Sequence, residues 1–363
     1  MASTRDNLLA LHKTLVSISC VTGNEAPCSD ALKAYLSEHG WTVETQATGP
    51  GRENVYAYLG SHRKTRVVLN SHLDVVPPYI DFSEDAENVY GRGSSDAKGP
   101  MAAQIIAAQE LVQESVIKEG DVGLLYVTGE EVDHIGMIKA NDLDIQPEAM
   151  IVGEPTENVL ATGHKGAIKF TLTVEGLAAH SGYPHLGTSA NTHLTRILNR
   201  LLDLSLPSSP ILGSTTLNIG QIKGGVASNV IPAKAVADVM IRVATSVDEV
   251  WHLVQQAVES YANAQTGKGE VQVPKISLDK TNWFEPVHCH VVPSFTTKAM
   301  SYNTDIGAWK HPLPAGAYLY GPGSILVAHG ENEFVSKQQL VESVEGYKRL
   351  ITSVLAGKGK PAE

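Results

Sequence analysis

The stretch Arg66-Val-Val-Leu-Asn-Ser-His-Leu-Asp74 decides the reading of the fold. Its apolar run is short and does not alternate with polar residues, then turns polar at Asn70 and Ser71. That pattern suits a parallel strand buried on both faces, with a functional tip. The same signature returns at Val122–Thr128, which leads into Glu130-Glu131, and at Ala149–Val152, which leads into Glu154. Residues 100–114 have the apolar spacing of a helix, as do 4–18 and 29–39, and strands are expected at Trp41–Gln46 and Val55–Leu59. Strands alternating with helices define an α/β sheet whose ligands gather at the carboxyl ends of the strands.

After residue 165 the pattern changes. Strands are expected at Ile168–Val174, Thr215–Gln221, Ala233–Val243 and Val271–Ile276, with helices over 189–204 and 247–263. Strand-helix-strand-strand-helix-strand is the split βαβ order. From residue 282 the first style resumes, with helices expected near 291–300 and 336–355. The expectation is an α/β catalytic domain over 1–165 and 282–363, interrupted by an α+β insertion over 166–281. The chain would cross between them near 163–167 and 278–284, and Gly163 and Gly166 ease the first crossing.

The expected strand tips concentrate ligand chemistry. His72 and Asp74 follow the first strand, Glu130 and Glu131 the second, and Glu154 the third; Asp96 precedes a helix and His329 ends Gly321-Pro-Gly-Ser-Ile-Leu-Val-Ala-His329. Carboxylate and imidazole donors without a thiolate suit zinc, manganese or cobalt. Asp96, Glu131 and Glu154 bring three negative charges and His72 and His329 none, so two divalent ions leave a net +1 that a bridging hydroxide would cancel, and five ligands fit two ions only if one carboxylate bridges. Adjacent Glu residues in a turn can aim differently, one at a metal and one at water. Asp74 is expected to accept a hydrogen bond from His72 and fix its tautomer.

Ser71-His-Leu-Asp-Val-Val-Pro77, Gly91-Arg-Gly-Ser-Ser-Asp-Ala-Lys-Gly-Pro100, Gly129-Glu-Glu131 and Gly153-Glu-Pro155 resemble the dinuclear zinc family of acetylornithine deacetylase, succinyl-diaminopimelate desuccinylase, aminoacylase and glutamate carboxypeptidase. The resemblance implies a phosphorylase/hydrolase-like catalytic domain with a mixed sheet, and a ferredoxin-like insertion serving as lid and dimerisation domain. It implies that His72, Asp96 and Glu154 hold one metal and that Asp96, Glu131 and His329 hold the other. Glu130 would be the general base, Asp74 the partner of His72, and the peptide after Asp96 cis. Ala178-Ala-His-Ser-Gly-Tyr-Pro184 would supply His180 to polarise the scissile carbonyl, often across a dimer. Asn229, Arg242 and Gly323 would bind substrate, the first two through its α-carboxylate. The segment Tyr320–Phe334 most resembles acetylornithine deacetylases, which makes N-acetyl-ornithine the first expected substrate, ahead of other N-acyl amino acids and dipeptides. The turn Val132-Asp-His-Ile-Gly136 departs from the glycine-rich turn usual in relatives.

Composition narrows the remaining classes. The 363 residues are 42% hydrophobic and 18% charged, which excludes disordered, collagenous and coiled-coil chains. A net charge of −11 argues against nucleic-acid binding, which needs clustered Lys and Arg. Three cysteines, the lack of a long apolar run and the early Asp6 fit a cytoplasmic protein without a membrane span. Ser95-Asp-Ala-Lys98 matches the S-x-x-K motif of serine amidases, but its companion motifs are absent. The other rival is a non-catalytic relative, which would be expected to lack Glu130 or one ligand. A shared metal between Glu131 and His134, and a metal tract at His288-Cys-His290, are lesser readings.

Overall fold

Val67–His72 is a strand buried along its whole length in the computed structural model, which describes residues 3–266 and 272–362. In chain order the principal elements are α1 (Thr4–Val16), α2 (Ala26–Glu38), β1 (Trp41–Gly49), β2 (Arg52–Leu59), β3 (Val67–His72), α3 (Lys98–Gln113), β4 (Val122–Val127), β5 (Ala149–Val152), β6 (Gly166–Glu175), α4 (Ala190–Leu202), β7 (Thr216–Gly224), β8 (Lys234–Val243), α5 (Val247–Asn263), β9 (Lys275–Phe284), β10 (Gly316–Leu319) and α6 (Lys337–Leu355). The chain forms two compact units. The first comprises Met1–Gly163, His288–Met300 and Thr304–Glu363; the second comprises His164–Val287 and Ser301–Asn303.

In the first unit a six-stranded mixed sheet has the order β1-β2-β4-β3-β5-β10. β3 runs parallel to both β4 and β5, and β10 parallel to β5, while β1 and β2 join antiparallel. The four parallel strands therefore end on the same edge, where the candidate ligands lie. α3 is apolar almost all round, and Met101–Ala108 is wholly buried, as a helix sandwiched between sheet and neighbouring helices must be. It packs against β3, α1 and α6. At the start of α1, Ser3 and Asp6 cap each other's backbone N–H groups.

In the second unit an antiparallel sheet has the order β7-β8-β6-β9. Strict alternation of buried and open positions along β8 sends Ala235, Ala237, Val239, Ile241 and Val243 to one face. α4 and α5 cover that face, giving the expected ferredoxin-like layer.

Two expectations are corrected. Residues 291–300 form no helix; His290–Val291 and Thr297–Met300 are short strands. Pro293 lacks the donor a helix interior needs, and Val291, Val292, Thr296 and Thr297 are β-branched. The stretch 278–284 is not a crossing but the second half of β9, and the strand begins at Lys275. Lys280 and Asn282 occupy inward positions of its alternation, which hid the strand in the sequence. Val271, the expected start of that strand, lies outside the described residues.

Candidate metal centre

β3 ends on His72, whose ring is almost fully buried. Its Nδ1–H donates to the backbone carbonyl of Asp74 at 2.9 Å, which leaves the Nε2 lone pair facing outward from the strand tip. Nε2 stands 3.0 Å from Asp96 Oδ1 and 3.8 Å from Glu154 Oε2. On the other side of Asp96, His329 Nε2 lies 3.4 Å from Oδ2 and 3.0 Å from Glu131 Oε2. Two ligand sets thus form, His72–Asp96–Glu154 and Asp96–Glu131–His329, each with its atoms within 4.8 Å of one another. They share Asp96, one carboxylate oxygen turned to each. The Asp96–Ala97 peptide is cis.

The role expected of Asp74 divides between its backbone and its side chain. The carboxylate is 3.7 Å from His72 Nδ1, too far for the expected hydrogen bond, because the residue's own carbonyl already accepts that proton. The carboxylate instead accepts the backbone N–H groups of Glu130 at 3.1 Å and Glu131 at 3.3 Å, and the Thr22 hydroxyl at 2.8 Å. Asp74 therefore orients the glutamate turn as well as the imidazole.

Glu130 belongs to neither ligand set. Its Oε1 lies 3.6 Å from His134 Nδ1, and that nitrogen is 2.9 Å from Asp305 Oδ1. His134 and Glu131 therefore face different neighbours and do not form a common site. His134 takes a left-handed backbone, φ 56°, at the place where the sequence departs from a glycine-rich turn. Asp305, 171 residues away, gave no local signal of this contact.

The remaining candidates separate. Gly323 has φ 86°, and a Cβ there would meet Ser95 Oγ at 2.3 Å. Its N–H donates to Gln339 and its carbonyl accepts from Glu157. His180, Asn229 and Arg242 belong to the second unit. His180 is exposed and its Nδ1 accepts the Gly182 N–H at 3.0 Å, so in the neutral ring Nε2 carries the proton. Arg242 sits on β8, an interior strand, and its Nη1 donates to Asn303 at 2.5 Å. Lys98 is not paired with Ser95; its buried ammonium faces Cys20, Cys28 and the Leu73 carbonyl, which removes the serine-amidase arrangement.

The electrostatics match cation ligation. Burial, joined by the charges of Glu154, Asp305 and Glu131, drives the Glu130 carboxyl well above the usual range. Burial lifts Glu154 to about 8 and also raises Glu131, which faces Asp96. Asp96 is held low in spite of its burial, because the imidazoles of His329 and His72 flank its two oxygens and favour its charged form. His329, bonded to Asp96 and Glu131, is pushed up to about 10. The cluster thus concentrates more negative charge than a buried site tolerates without protons or cations. Glu131 Oε1 is buried without a hydrogen-bond partner, an acceptor that a cation would satisfy. Oxygen and imidazole donors at these spacings fit divalent ions.

An α/β unit with paired carboxylate–imidazole ligand sets at its strand tips, and an inserted ferredoxin-like unit, describes a class of metallohydrolase fold. Residues 162–270 match the peptidase dimerisation domain of the M20 family. A peptidase M20 domain-containing protein of Schizosaccharomyces pombe is 44% identical over 350 residues, covering 95% of this chain and 84% of the relative. A probable carboxypeptidase of Talaromyces marneffei is 39% identical over 392 residues, covering 95% and 85%. Among solved structures, a tripeptidase of Staphylococcus aureus superposes with a TM-score of 0.77 at 18% identity, covering 96% of this chain and 98% of its own. The chain belongs to the M20 peptidase family and is a hydrolase of peptide or amide bonds. Among the described residues no helix is long and apolar enough to cross a membrane.

Proposed function

We propose that this protein is a dinuclear metallopeptidase of carboxypeptidase or dipeptidase type, which hydrolyses the amide bond of a residue whose α-carboxylate is free. N-acyl amino acids, N-acetyl-ornithine included, offer the same bond. The descriptions of the fungal relatives as probable carboxypeptidases favour the peptide substrate over N-acetyl-ornithine. The observation that carries the reading is Asp96, with one oxygen toward His72 and the other toward His329.

His72, Asp96 and Glu154 would hold one divalent ion, and Asp96, Glu131 and His329 the other; Zn²⁺ suits these donors best, with Co²⁺ and Mn²⁺ close behind. Bound there, the ions would supply Lewis acidity to the scissile carbonyl and to water. Glu130, outside both sets, takes the proton of the attacking water and returns it to the leaving nitrogen. His180 donates Nε2–H to the carbonyl oxygen as negative charge develops. Arg242 and Asn229 bind the α-carboxylate, the planar guanidinium fork matching its two oxygens. The protein acts in the cytoplasm as a homodimer through the second unit, and His180 serves the partner's site.

Zinc- and cobalt-loaded enzyme should cleave dipeptides and N-acyl amino acids and spare their C-terminally amidated forms. Full turnover after exhaustive chelation, or equal cleavage of the amides, overturns the proposal. Preferred turnover of N-acetyl-ornithine would move the substrate to the deacetylase branch. Mixing inactive His180→Ala with inactive Glu130→Gln subunits should restore part of the activity, since a heterodimer contains one site with both groups. No restoration under demonstrated subunit exchange places His180 in its own subunit's site or outside catalysis.

A further inference from the structure

The loop that carries Asp96 and the loop that carries His329 meet over a buried carboxylate that the mechanism does not use. Glu333 has no exposed side-chain surface. Its Oε1 accepts three backbone N–H groups from the first loop, those of Gly93 at 3.0 Å and of Ser95 and Asp96 at 3.1 Å. Its Oε2 accepts Arg92 Nη1 at 2.8 Å. Arg92, also buried, donates onward to the carbonyls of Gly330 at 3.0 Å, His329 at 3.4 Å and Pro78 at 3.2 Å. Each of the two residues thus lies on one loop and grips the other.

A buried ion pair is weak evidence of net stabilisation, because desolvating two charges consumes most of their attraction. The arrangement does supply something ordinary packing does not. The antiparallel pairing of Phe334–Ser336 with Asn88–Tyr90 brings the two segments alongside, but its ladder ends at Phe334 and Tyr90, short of both ligands. Beyond that point one backbone bond, from Gly91 N–H to the Glu333 carbonyl at 3.2 Å, and the polar clamp continue the register. It fixes the Asp96 backbone from the Glu333 side. From the Arg92 side it holds the peptide of His329, which has a left-handed backbone at φ 63°. Three amide donors converging on one carboxylate oxygen leave the loop little freedom to rotate.

We infer that Arg92 and Glu333 are positioning residues that lock Asp96 and His329 together and so set the Asp96–Glu131–His329 cation set. This inference rests on the proposed metal ligation. Groups of this kind, behind the ligands, tune metal affinity by about 10–100-fold when removed.

The test is zinc binding to the metal-free full-length chain, titrated against a competing chelator. The unmodified protein should bind two ions, and the event lost in His329→Ala identifies the second set. Arg92→Lys keeps the charge beside Glu333 but loses the fork to the His329 and Gly330 carbonyls. It should weaken the second event by about 10–100-fold and leave the first within about threefold. Glu333→Gln should weaken both, since Asp96 belongs to both sets; if that variant does not fold, Arg92→Lys decides. Leu350→Ala, a core truncation remote from the ligands, should lower the melting temperature and leave both events unchanged. Normal second-site binding by Arg92→Lys, or equal weakening in Leu350→Ala, overturns the clamp and leaves the ligand assignment standing. Failure of the unmodified protein to take up zinc overturns both.

Discussion

The two units treat their carboxylates differently: among the described residues, the buried Asp and Glu side chains all lie in the first. In the first, His72, Asp74, Arg92, Asp96, Lys98, Glu154 and Glu333 are all buried, and nearly every one is held by a named partner. In the second, the helix-facing side of the sheet is made of Ile168, Phe170, Leu172, Val174, Val239 and Ile241, while His180 and Asn229 lie exposed. The first unit accepts the expense of buried charge so that its ligands stand still before any cation arrives. The second draws its stability from apolar burial and leaves its chemically useful side chains able to adjust.

The contrast breaks most sharply at Asp96. Asp96→Ala should abolish binding of both zinc ions and all measurable turnover, whereas no single change in the second unit should alter zinc content. Elemental analysis decides, and one retained ion at full affinity would show that Asp96 does not bridge. Glu130→Gln comes next. It should keep both ions and lose about 10²–10⁴-fold in kcat, the usual contribution of a positioned acid–base group. Loss of an ion would exchange the roles of Glu130 and Glu131.

Ile241→Ala tests the apolar side of the comparison. Removing a wholly buried side chain from β8 should cost about 2–5 kcal/mol in denaturant unfolding, with zinc affinity of the folded fraction unchanged. His12 tests whether buried polarity in the first unit carries a stability cost. Its Nε2–H donates to the Ser94 carbonyl at 2.9 Å, and burial lowers its pKa to about 4 against the ordinary 6.5. The unfolded chain therefore takes up a proton below pH 6.5 that the folded chain refuses until about pH 4. Stability from this group is complete above pH 6.5 and is lost as pH falls through that window. The loss amounts to about 3 kcal/mol. His12→Gln should flatten the pH dependence by that order, and an unchanged slope would refute the assignment. The smallest effect is expected in the second unit. Arg242→Ala should raise KM about tenfold with kcat kept, the worth of one charge-assisted hydrogen bond, and should erase discrimination against amidated substrates. A fall in kcat alone would remove Arg242 from carboxylate binding.

Much of this molecule was legible in its sequence because the relevant physics is local. Short apolar runs that end in polar residues marked β3, β4 and β5, and strands buried on both faces leave little else for such runs to be. Parallel strands end on one edge, so His72, Glu131 and Glu154 could be grouped before any coordinates, and alternation along 233–243 marked β8. Tertiary structure decided what depends on contacts between distant segments. Asp74 gave its carbonyl, not its carboxylate, to His72, because the side chain was already committed to the glutamate turn. Gly323 came to lie so close to Ser95 that a Cβ would meet its hydroxyl. His134 met Asp305 across 171 residues, and Glu333 met the Asp96 loop across 237, where no periodicity or spacing reaches. Local sequence sets which residues carry ligand chemistry and which elements present them. The pairing of their backbones and carboxylates is set by chain closure over hundreds of residues, and only the folded molecule contains it.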